Sequence, residues 1–240
     1  MSPLHEHLKR ISRREAIEML SAAAAGAVIA CGDSPTSPTS TTTTATPTTV
    51  TGAACAVSPS ETIGPYPSLT DLIRSDIREG KSGTPVTLTI SVVNVNSNCA
   101  AVANAIVDIW QCDAEGHYSQ YSQPGFNGTS QTFLRGIQTT DSSGRVTFTT
   151  IYPGWYQGRA THIHVEVTVT GQSVKVTQIA FPETVTAAVY ASGVYAAKGQ
   201  NPTSNSGDMV FSDSLSSELA TVTGDPTSGY SATFTVGVSL

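Results

Sequence analysis

The sequence predicts an all-β fold, an antiparallel β-sandwich with short inserted helices. Seven short stretches between residues 86 and 238 are rich in β-branched residues or alternate apolar with polar side chains, as strands do. Turn residues separate these stretches, for example at positions 141–144 and 170–171. In addition, only 12% of the residues are charged while Thr, Val and Ser are abundant, a composition that suits a secreted β-rich protein.

The individual elements follow from the same patterns. The strands are predicted at residues 86–93, 105–112, 132–139, 146–151, 161–169, 174–181 and 232–238. Short helices are predicted between them, at residues 69–79, 185–197 and 214–221. Together these elements form one domain over residues 54–240, which is long enough for a sizeable hydrophobic core and too short for two ordinary domains.

The first 31 residues have the features of an export signal. Basic residues at positions 9–14 precede a mildly apolar run at 16–30, which is too short to span a membrane. Residues 12–14 resemble the twin-arginine signature, although Ala16 replaces the usual bulky residue. Residues 28–32 resemble a bacterial lipobox in which Cys31 would be lipidated; the alternative is an ordinary cleaved signal. We therefore expect a protein that is anchored at the bacterial surface or secreted.

Residues 32–53 are nearly all Ser, Thr, Pro and Ala, and we expect them to form a disordered tether because they cannot bury apolar surface.

From Cys31 onward the chain has 8 Lys and Arg against 15 Asp and Glu, a net charge of −7. Since no basic stripe is visible, nucleic acid is not an expected partner. The expected membrane association is through a lipidated Cys31, and the sequence leaves the oligomeric state open.

Three further cysteines lie in the predicted domain. Outside the cytosol a disulfide is expected, and with an odd number of cysteines one thiol stays free. Cys112 lies in an apolar strand pattern and is predicted to be the buried free thiol. Cys55 and Cys99 are therefore the favoured pair, although the sequence does not fix the connectivity.

His162 and His164 carry the strongest chemical signal in the sequence. They lie two residues apart in an alternating run, so both imidazoles leave the same strand face while the apolar residues between them face the core. Neutral imidazole is a favoured ligand of transition metals. The alternative is a strand with two half-exposed histidines, but Tyr156 and Arg159 in the Gly-containing turn just before the pair favour a metal site.

Four segments, at residues 62–66, 108–118, 133–139 and 151–164, together resemble the intradiol ring-cleavage dioxygenases. This family includes protocatechuate 3,4-dioxygenase and catechol 1,2-dioxygenase, and the chain is most similar to its secreted single-domain members. The resemblance covers most of residues 55–182, in the same order and with two tyrosine and two histidine positions in register. It implies cleavage of catechol-type diols by O2, between the two hydroxylated carbons, to cis,cis-muconic acids.

The resemblance also implies a non-haem Fe(III) cofactor whose four protein ligands are Tyr118, Tyr156, His162 and His164. Ferric iron is a hard acid that anionic phenolate oxygens suit, and a bound cation lowers the cost of ionising a tyrosine. By the same analogy Tyr156 accepts a proton from the substrate, and Arg159 lies over the substrate ring, where its charge stabilises developing negative charge.

Five further residues match or adjoin the substrate pocket of the family. Thr62, Gly64 and Tyr66 match a loop that closes the pocket, Gln178 matches a glutamine near the substrate, and Trp155 either walls the pocket or covers the core. Only residues 157–161 separate the second tyrosine from the first histidine, where the soluble catabolic enzymes have a longer insertion. We therefore expect a wider mouth and larger or extracellular catechols, such as those released from lignin or plant phenols.

Two other functions are compatible with parts of the pattern. A hydrolase, or a zinc or copper site, could be built on the same histidine pair, but zinc favours His, Cys and carboxylate ligands over tyrosines. A β-sandwich that binds polysaccharide at the cell surface would explain the fold and the tether. It would leave the ordered set of Tyr, Arg and His residues without a role.

Overall fold

The computed structural model describes residues 55–240. The predicted export signal, the lipidation site at Cys31 and the tether all lie outside the described residues. The strands are β1 (Pro85–Asn94), β2 (Ala100–Ala101), β3 (Ile106–Trp110), β4 (Ser122–Gln123), β5 (Phe126–Asn127), β6 (Arg135–Thr139), β7 (Arg145–Ile151), β8 (His162–Val169), β9 (Gln172–Ala180), β10 (Thr221–Asp225) and β11 (Gly229–Val238). The α-helices are α1 (Glu183–Tyr190) and α2 (Leu215–Glu218), and 3-10 turns occur at Val95–Ser97, Gly193–Tyr195 and Asn205–Gly207.

Two sheets form the predicted sandwich. In the first sheet β1 pairs with β11, β7 and the short β2, and β10 extends the sheet beyond β11. The second sheet is fully antiparallel in the order β6, β3, β8, β9, and β4 and β5 form a separate small hairpin. The all-β sandwich is therefore confirmed, with one difference: the pairing of β1 with β11 is parallel.

The core lies between the two sheets because each sheet directs every second side chain inward. On β1 the buried residues alternate along the strand, as Leu88 and Ile90 illustrate, and on β8 they include Ile163 and Val165. All four belong to one large apolar cluster. On the opposite face of β8, loops rather than a sheet cover the polar side chains.

The predicted helix at residues 69–79 is absent. The segment is extended and forms bridges to both sheets, at Ile73 with Ile137 and at Asp76 with Thr149. Its backbone groups bond to strands, as when the amide of Ile77 donates to the carbonyl of Thr149 at 3.0 Å. The helical prediction was wrong because these tertiary hydrogen bonds outweigh the modest local helix propensity.

The other two helix predictions are correct only in part. Helix α1 ends at Tyr190 and a 3-10 turn follows it, whereas the prediction continued to residue 197. Helix α2 occupies only Leu215–Glu218 of the predicted 214–221, and β10 begins at Thr221 and pairs with β11. In the part of the chain that the structure describes, no helix has the length and apolar character needed to cross a membrane.

A disulfide joins Cys55 to Cys99, with 5.6 Å between their Cα atoms, and Cys112 is the buried free thiol. Both match the sequence analysis. The disulfide attaches the start of the described chain to the turn after β1. From there the chain follows β11 and β9, where the Ser58 amide donates to the Gly237 carbonyl and the Glu61 amide to the Val176 carbonyl.

Candidate metal centre

His162 and His164 leave the face of β8 that points away from the core, and they do so at the middle of the second sheet, between β3 and β9. Both are nearly completely buried, with exposed fractions of 3% and 1%. Their Nε2 atoms lie 3.2 Å apart. The strand alternation seen in the sequence therefore brings two imidazole nitrogens to one point.

Two loops bring tyrosines to the same point. Tyr118 follows the turn after β3, and its Oη lies 3.4 Å from His162 Nε2. Tyr156 comes from the loop before β8, and its Oη lies 3.2 Å from the same nitrogen. Tyr118 is completely buried whereas Tyr156 is half-buried, so the group of four donors is accessible from the Tyr156 side.

A hydrogen bond fixes the tautomer of His162 and leaves the lone pair of one ring nitrogen directed toward the tyrosines. His162 Nδ1 lies 2.6 Å from the Ala160 carbonyl oxygen, which can only accept, so Nδ1 carries the proton and Nε2 does not. This is the tautomer that a metal-binding histidine needs. The ring of His164 stacks on Trp110 at a centroid distance of 5.0 Å, and its buried Nδ1 has no hydrogen-bond partner among residues 55–240.

These four donors fit a metal ion. Donor atoms 3.2–3.4 Å apart are about as far from one another as ligands that lie about 2.0–2.2 Å from a shared cation. Among the described residues no three His, Cys, Asp or Glu side chains form such a group, so a site here must include the phenol oxygens. Two phenolates and two imidazoles suit a hard, highly charged ion such as Fe(III).

The pKa values of the four donor side chains show which of them a bound metal ion would have to ionise. Burial raises the pKa of the Tyr118 phenol well above its ordinary value and that of Tyr156 to about 12, while the Arg159 guanidinium lowers both. Burial also lowers the pKa of His162 to about 3 and that of His164 well below its ordinary value. The protein alone therefore keeps all four donors neutral, and a bound cation would supply the charge needed to ionise the phenols.

Arg159 lies beside the four donors and is held in place by two side chains. Its Nε donates to Asp208 Oδ2 at 2.9 Å, and its Nη2 donates to Gln178 Oε1 at 2.6 Å. Gln178 is completely buried on β9, opposite His164 in the register, and donates to the Thr62 carbonyl at 3.0 Å. The side-chain amide of Gln178 thus connects Arg159 to the 62–66 loop.

The 62–66 loop packs directly against the donors. Gly64 has a φ of +76°, and a Cβ atom at this position would lie 2.8 Å from His164 Cε1. The ring of Tyr66 lies 4.9 Å from that of Tyr118, and the Thr62 hydroxyl accepts from the Gly64 amide at 3.2 Å. Of the predicted pocket residues, Gly64 and Tyr66 therefore contact the ligand side chains, and Thr62 shapes the turn between them.

Trp155 has a different role from these pocket residues. Its indole ring packs on the main core, and its Nε1 donates to the Gly199 carbonyl at 2.9 Å. Of the two alternatives that the sequence left open, the structure favours the one in which Trp155 covers the core. Lys198 lies over the ring at 4.6 Å and donates to the carbonyls of Trp155 and Glu115, which ties the two tyrosine loops together.

Sequence reasoning missed two buried charged residues at the centre. Arg135 donates from Nε to the Ser119 hydroxyl at 2.9 Å and from Nη1 to the Tyr66 carbonyl at 2.9 Å. It therefore joins the Tyr118 loop to the 62–66 loop. It lies in the 133–139 segment, one of the four that carry the family resemblance. Asp208 lies in a Ser- and Gly-containing stretch with no periodic pattern, so no sequence signal identified it.

The chain matches a family model described as "Dioxygenase" over residues 63–201. It resembles an intradiol ring-cleavage dioxygenase from Tetranychus urticae, with 28% identity, a TM-score of 0.70, and coverage of 77% of this chain and 95% of that one. A second similar structure is the dioxygenase domain of a dioxygenase carbohydrate-binding protein fusion from the cellulolytic bacterium Streptomyces sp. SirexAA-E, with 26% identity, a TM-score of 0.57, and coverage of 77% and 99%. Catechol 1,2-dioxygenase from Acinetobacter sp. ADP1 has the same fold at 18% identity and a TM-score of 0.55, with coverage of 76% and 62%.

Proposed function

Because this chain belongs to the intradiol ring-cleavage dioxygenases, we propose that it cleaves catechol-type diols with O2 by means of a non-haem Fe(III). The ligands in this proposal are Tyr118, Tyr156, His162 and His164. The observation that carries it is the approach of two phenol oxygens and a second imidazole nitrogen to within 3.2–3.4 Å of His162 Nε2. Family membership favours this activity over a hydrolase or a polysaccharide-binding module.

Bound Fe(III) would supply the Lewis acidity and the redox capacity that activate a catechol toward O2. The residues of the chain position the substrate and its protons. Tyr156 is the donor on the accessible side, so its phenolate oxygen is the base that receives a proton from a substrate hydroxyl. The guanidinium of Arg159, fixed by its ion pair with Asp208, would lie over the substrate ring, where a fixed cation stabilises developing negative charge.

The remaining residues around the centre exclude water and fix the ligands. Trp110 stacks on His164, and Tyr66 covers Tyr118, so two of the four ligands lie under aromatic rings. The Ala160 carbonyl holds the proton of His162 Nδ1. Preorganised donors of this kind need no rearrangement during the reaction, which is why they contribute strongly to catalysis.

We further propose that the substrates are catechols larger than protocatechuate that are encountered outside the cytoplasm. Gln157 and Gly158 are exposed beside Tyr156, so the short loop leaves this side of the centre open to a ring substituent. The disulfide between Cys55 and Cys99 supports an oxidising compartment. The Streptomyces relative is a fusion with a carbohydrate-binding protein from a cellulolytic bacterium, which supports phenols derived from lignin or other plant material. Turnover confined to protocatechuate would contradict this substrate class.

The visible absorption spectrum of the purified protein tests the proposed function. Two tyrosinate ligands on ferric iron give a red protein through phenolate-to-iron charge transfer, and catechol added under nitrogen shifts the band to longer wavelength. Admitting air bleaches the complex as the ring opens. Tyr118→Phe removes one ligand, so its band and its bound iron decrease strongly, whereas Tyr121→Phe, whose hydroxyl donates to the Pro67 carbonyl, keeps both. A protein that stays colourless after ferric reconstitution overturns the proposal.

A further inference from the structure

Asp208 is a completely buried acid that lies beyond the stretch matched by the family model, which ends at residue 201. A buried carboxylate is costly unless hydrogen-bond donors surround it. Three donors meet this need: Arg159 Nε and the Ala160 amide reach Oδ2 at 2.9 and 2.5 Å, and the Val210 amide reaches Oδ1 at 2.8 Å. The two bonds to Oδ2 both lead into the candidate metal centre.

The first of these bonds fixes the guanidinium of Arg159. Asp208 holds Nε while Gln178 holds Nη2, and a planar group bonded at two of its three nitrogens cannot rotate. The segment around Asp208 adds two further contacts. Asn201 donates to the Arg159 carbonyl at 3.0 Å, and the Phe211 ring lies 5.9 Å from Arg159 Cζ.

The second bond extends to a histidine of the centre. The amide of Ala160 donates to Asp208, and the carbonyl of the same residue accepts the proton of His162 Nδ1 at 2.6 Å. Asp208 therefore fixes the residue that sets the tautomer and the ring orientation of His162. Groups that hydrogen-bond directly to a metal ligand, as the Ala160 carbonyl would here, typically change metal affinity or activity by 10–100-fold when they are lost, and Asp208 holds this group in place.

We propose that Asp208 is a positioning residue, which acts through Arg159 on the substrate and through Ala160 on His162. This inference rests on the proposed function, because Arg159 and His162 take their roles from it. The 201–211 segment is then a part of the active site. Asp208→Asn tests the idea with little change of shape: the amide keeps one acceptor oxygen, but it loses the charge that faces the guanidinium.

For the iron-loaded enzyme we expect Asp208→Asn to lower kcat by roughly 10–100-fold. We also expect it to shift the absorption band of the anaerobic catechol complex. Asp213→Asn is the matched control, since Asp213 lies exposed in the same part of the chain and does not contact Arg159 in the structure. Equal kcat values and equal bands for Asp208→Asn and the wild type would overturn the proposal.

A double-mutant cycle separates positioning from a general structural role. If Asp208 acts through Arg159, combining Asp208→Asn with Arg159→Lys lowers kcat little further than Arg159→Lys does alone. Independent, multiplicative losses of kcat in the double variant, with an iron affinity equal to that of Arg159→Lys, would mean that Asp208 acts through neither Arg159 nor His162, and the proposal fails. Thermal unfolding of each variant, measured in parallel, shows whether the loss of activity follows the loss of stability.

A readout that needs neither iron nor turnover keeps this inference separate from the proposed function. In the metal-free wild-type protein, the Arg159 Nε–H and His162 Nδ1–H protons should exchange slowly with solvent in NMR spectra, because both are hydrogen-bonded in a buried network. Rapid exchange of both in the wild type overturns the positioning role whether or not the variants fold. Slow exchange with no ring cleavage would instead refute the proposed function and leave the Asp208 network intact.

Discussion

At the scale of single residues, Gly64 shows how a missing side chain makes room for the candidate centre. The 62–66 loop passes so close to His164 that a Cβ atom would lie 2.8 Å from Cε1, and the φ of +76° is one that residues with a side chain rarely adopt. Glycine satisfies both demands. The loop can therefore cover the imidazole without displacing it.

We predict that Gly64→Ala lowers iron affinity by about tenfold or more, because the methyl group displaces a proposed ligand. Gly125→Ala is the matched control: Gly125 has a φ of +79° but nothing within 4 Å of the added Cβ atom. Both substitutions cost about 1 kcal/mol of stability from the backbone conformation. Iron titrations of the two variants separate strain from displacement, and equal affinities would contradict this reading of Gly64.

At the scale of secondary-structure elements, β8 joins the core to the site. One of its faces contributes Ile163 and Val165 to the core, and the other carries the two histidines.

Helix α2 also carries a buried polar side chain. Its Glu218 is completely buried, with Oε2 accepting from the Ser214 hydroxyl at 2.6 Å and with Oε1 lacking a partner in the described part of the chain.

Glu218 predicts a pH dependence of stability. Burial, reinforced by the nearby charges of Glu61 and Asp213, raises its pKa from 4.5 to about 7, while the Ser214 hydroxyl lowers it. The folded protein then binds this proton more tightly than the unfolded chain does. As a result, stability is lost as pH rises from about 4.5 to about 7, by on the order of 2–3 kcal/mol.

Urea unfolding at pH 5 and pH 8 checks this prediction. Glu218→Gln removes the titrating group and keeps its shape, so the variant should be more stable than the wild type at pH 8 and similar to it at pH 5. Glu115→Gln, with a side chain that is 78% exposed, is the control and should follow the wild type. A parallel pH dependence in Glu218→Gln and the wild type would rule out Glu218 as the source.

At the scale of the whole molecule, the two sheets have different roles. The sheet built around β1 and β11 closes the core, while the sheet containing β3, β8 and β9 carries the site on its outer face. Two segments that are far apart in the chain cover that face. Residues 58–62 run along β9, where Lys175 Nζ donates to the Ser58 carbonyl at 2.7 Å, and residues 201–211 hold Arg159.

The disulfide stabilises this arrangement as a whole, since it closes a loop with a sequence separation of 44 residues. We expect the double substitution Cys55→Ser and Cys99→Ser to lower the free energy of unfolding by about 2–4 kcal/mol. The visible spectrum of the iron-loaded protein should not change. A reductant should bring the wild type to the stability of the variant and leave the variant unaffected; a stability loss in both would point to Cys112 instead.

Much of the fold could be predicted from the sequence because strand periodicity is a local signal. All seven predicted strands are present, and the alternation around His162 correctly placed both imidazoles on one face. The extended segment at 69–79 could not be predicted, because its hydrogen bonds are with strands that are distant in the sequence. For the same reason the parallel pairing of β1 with β11 was missed.

The candidate site divides in the same way. The residue types at positions 118, 156, 162 and 164, and the resemblance they carry, determined by themselves which donors to expect and which chemistry suits them. Only the tertiary structure decided what holds those donors: Asp208 and Gln178 on Arg159, Gly64 against His164, and Arg135 beneath the Tyr118 loop. The physical reason is that a donor's identity is a property of one side chain. Its orientation depends on hydrogen bonds and packing that join residues far apart in the chain.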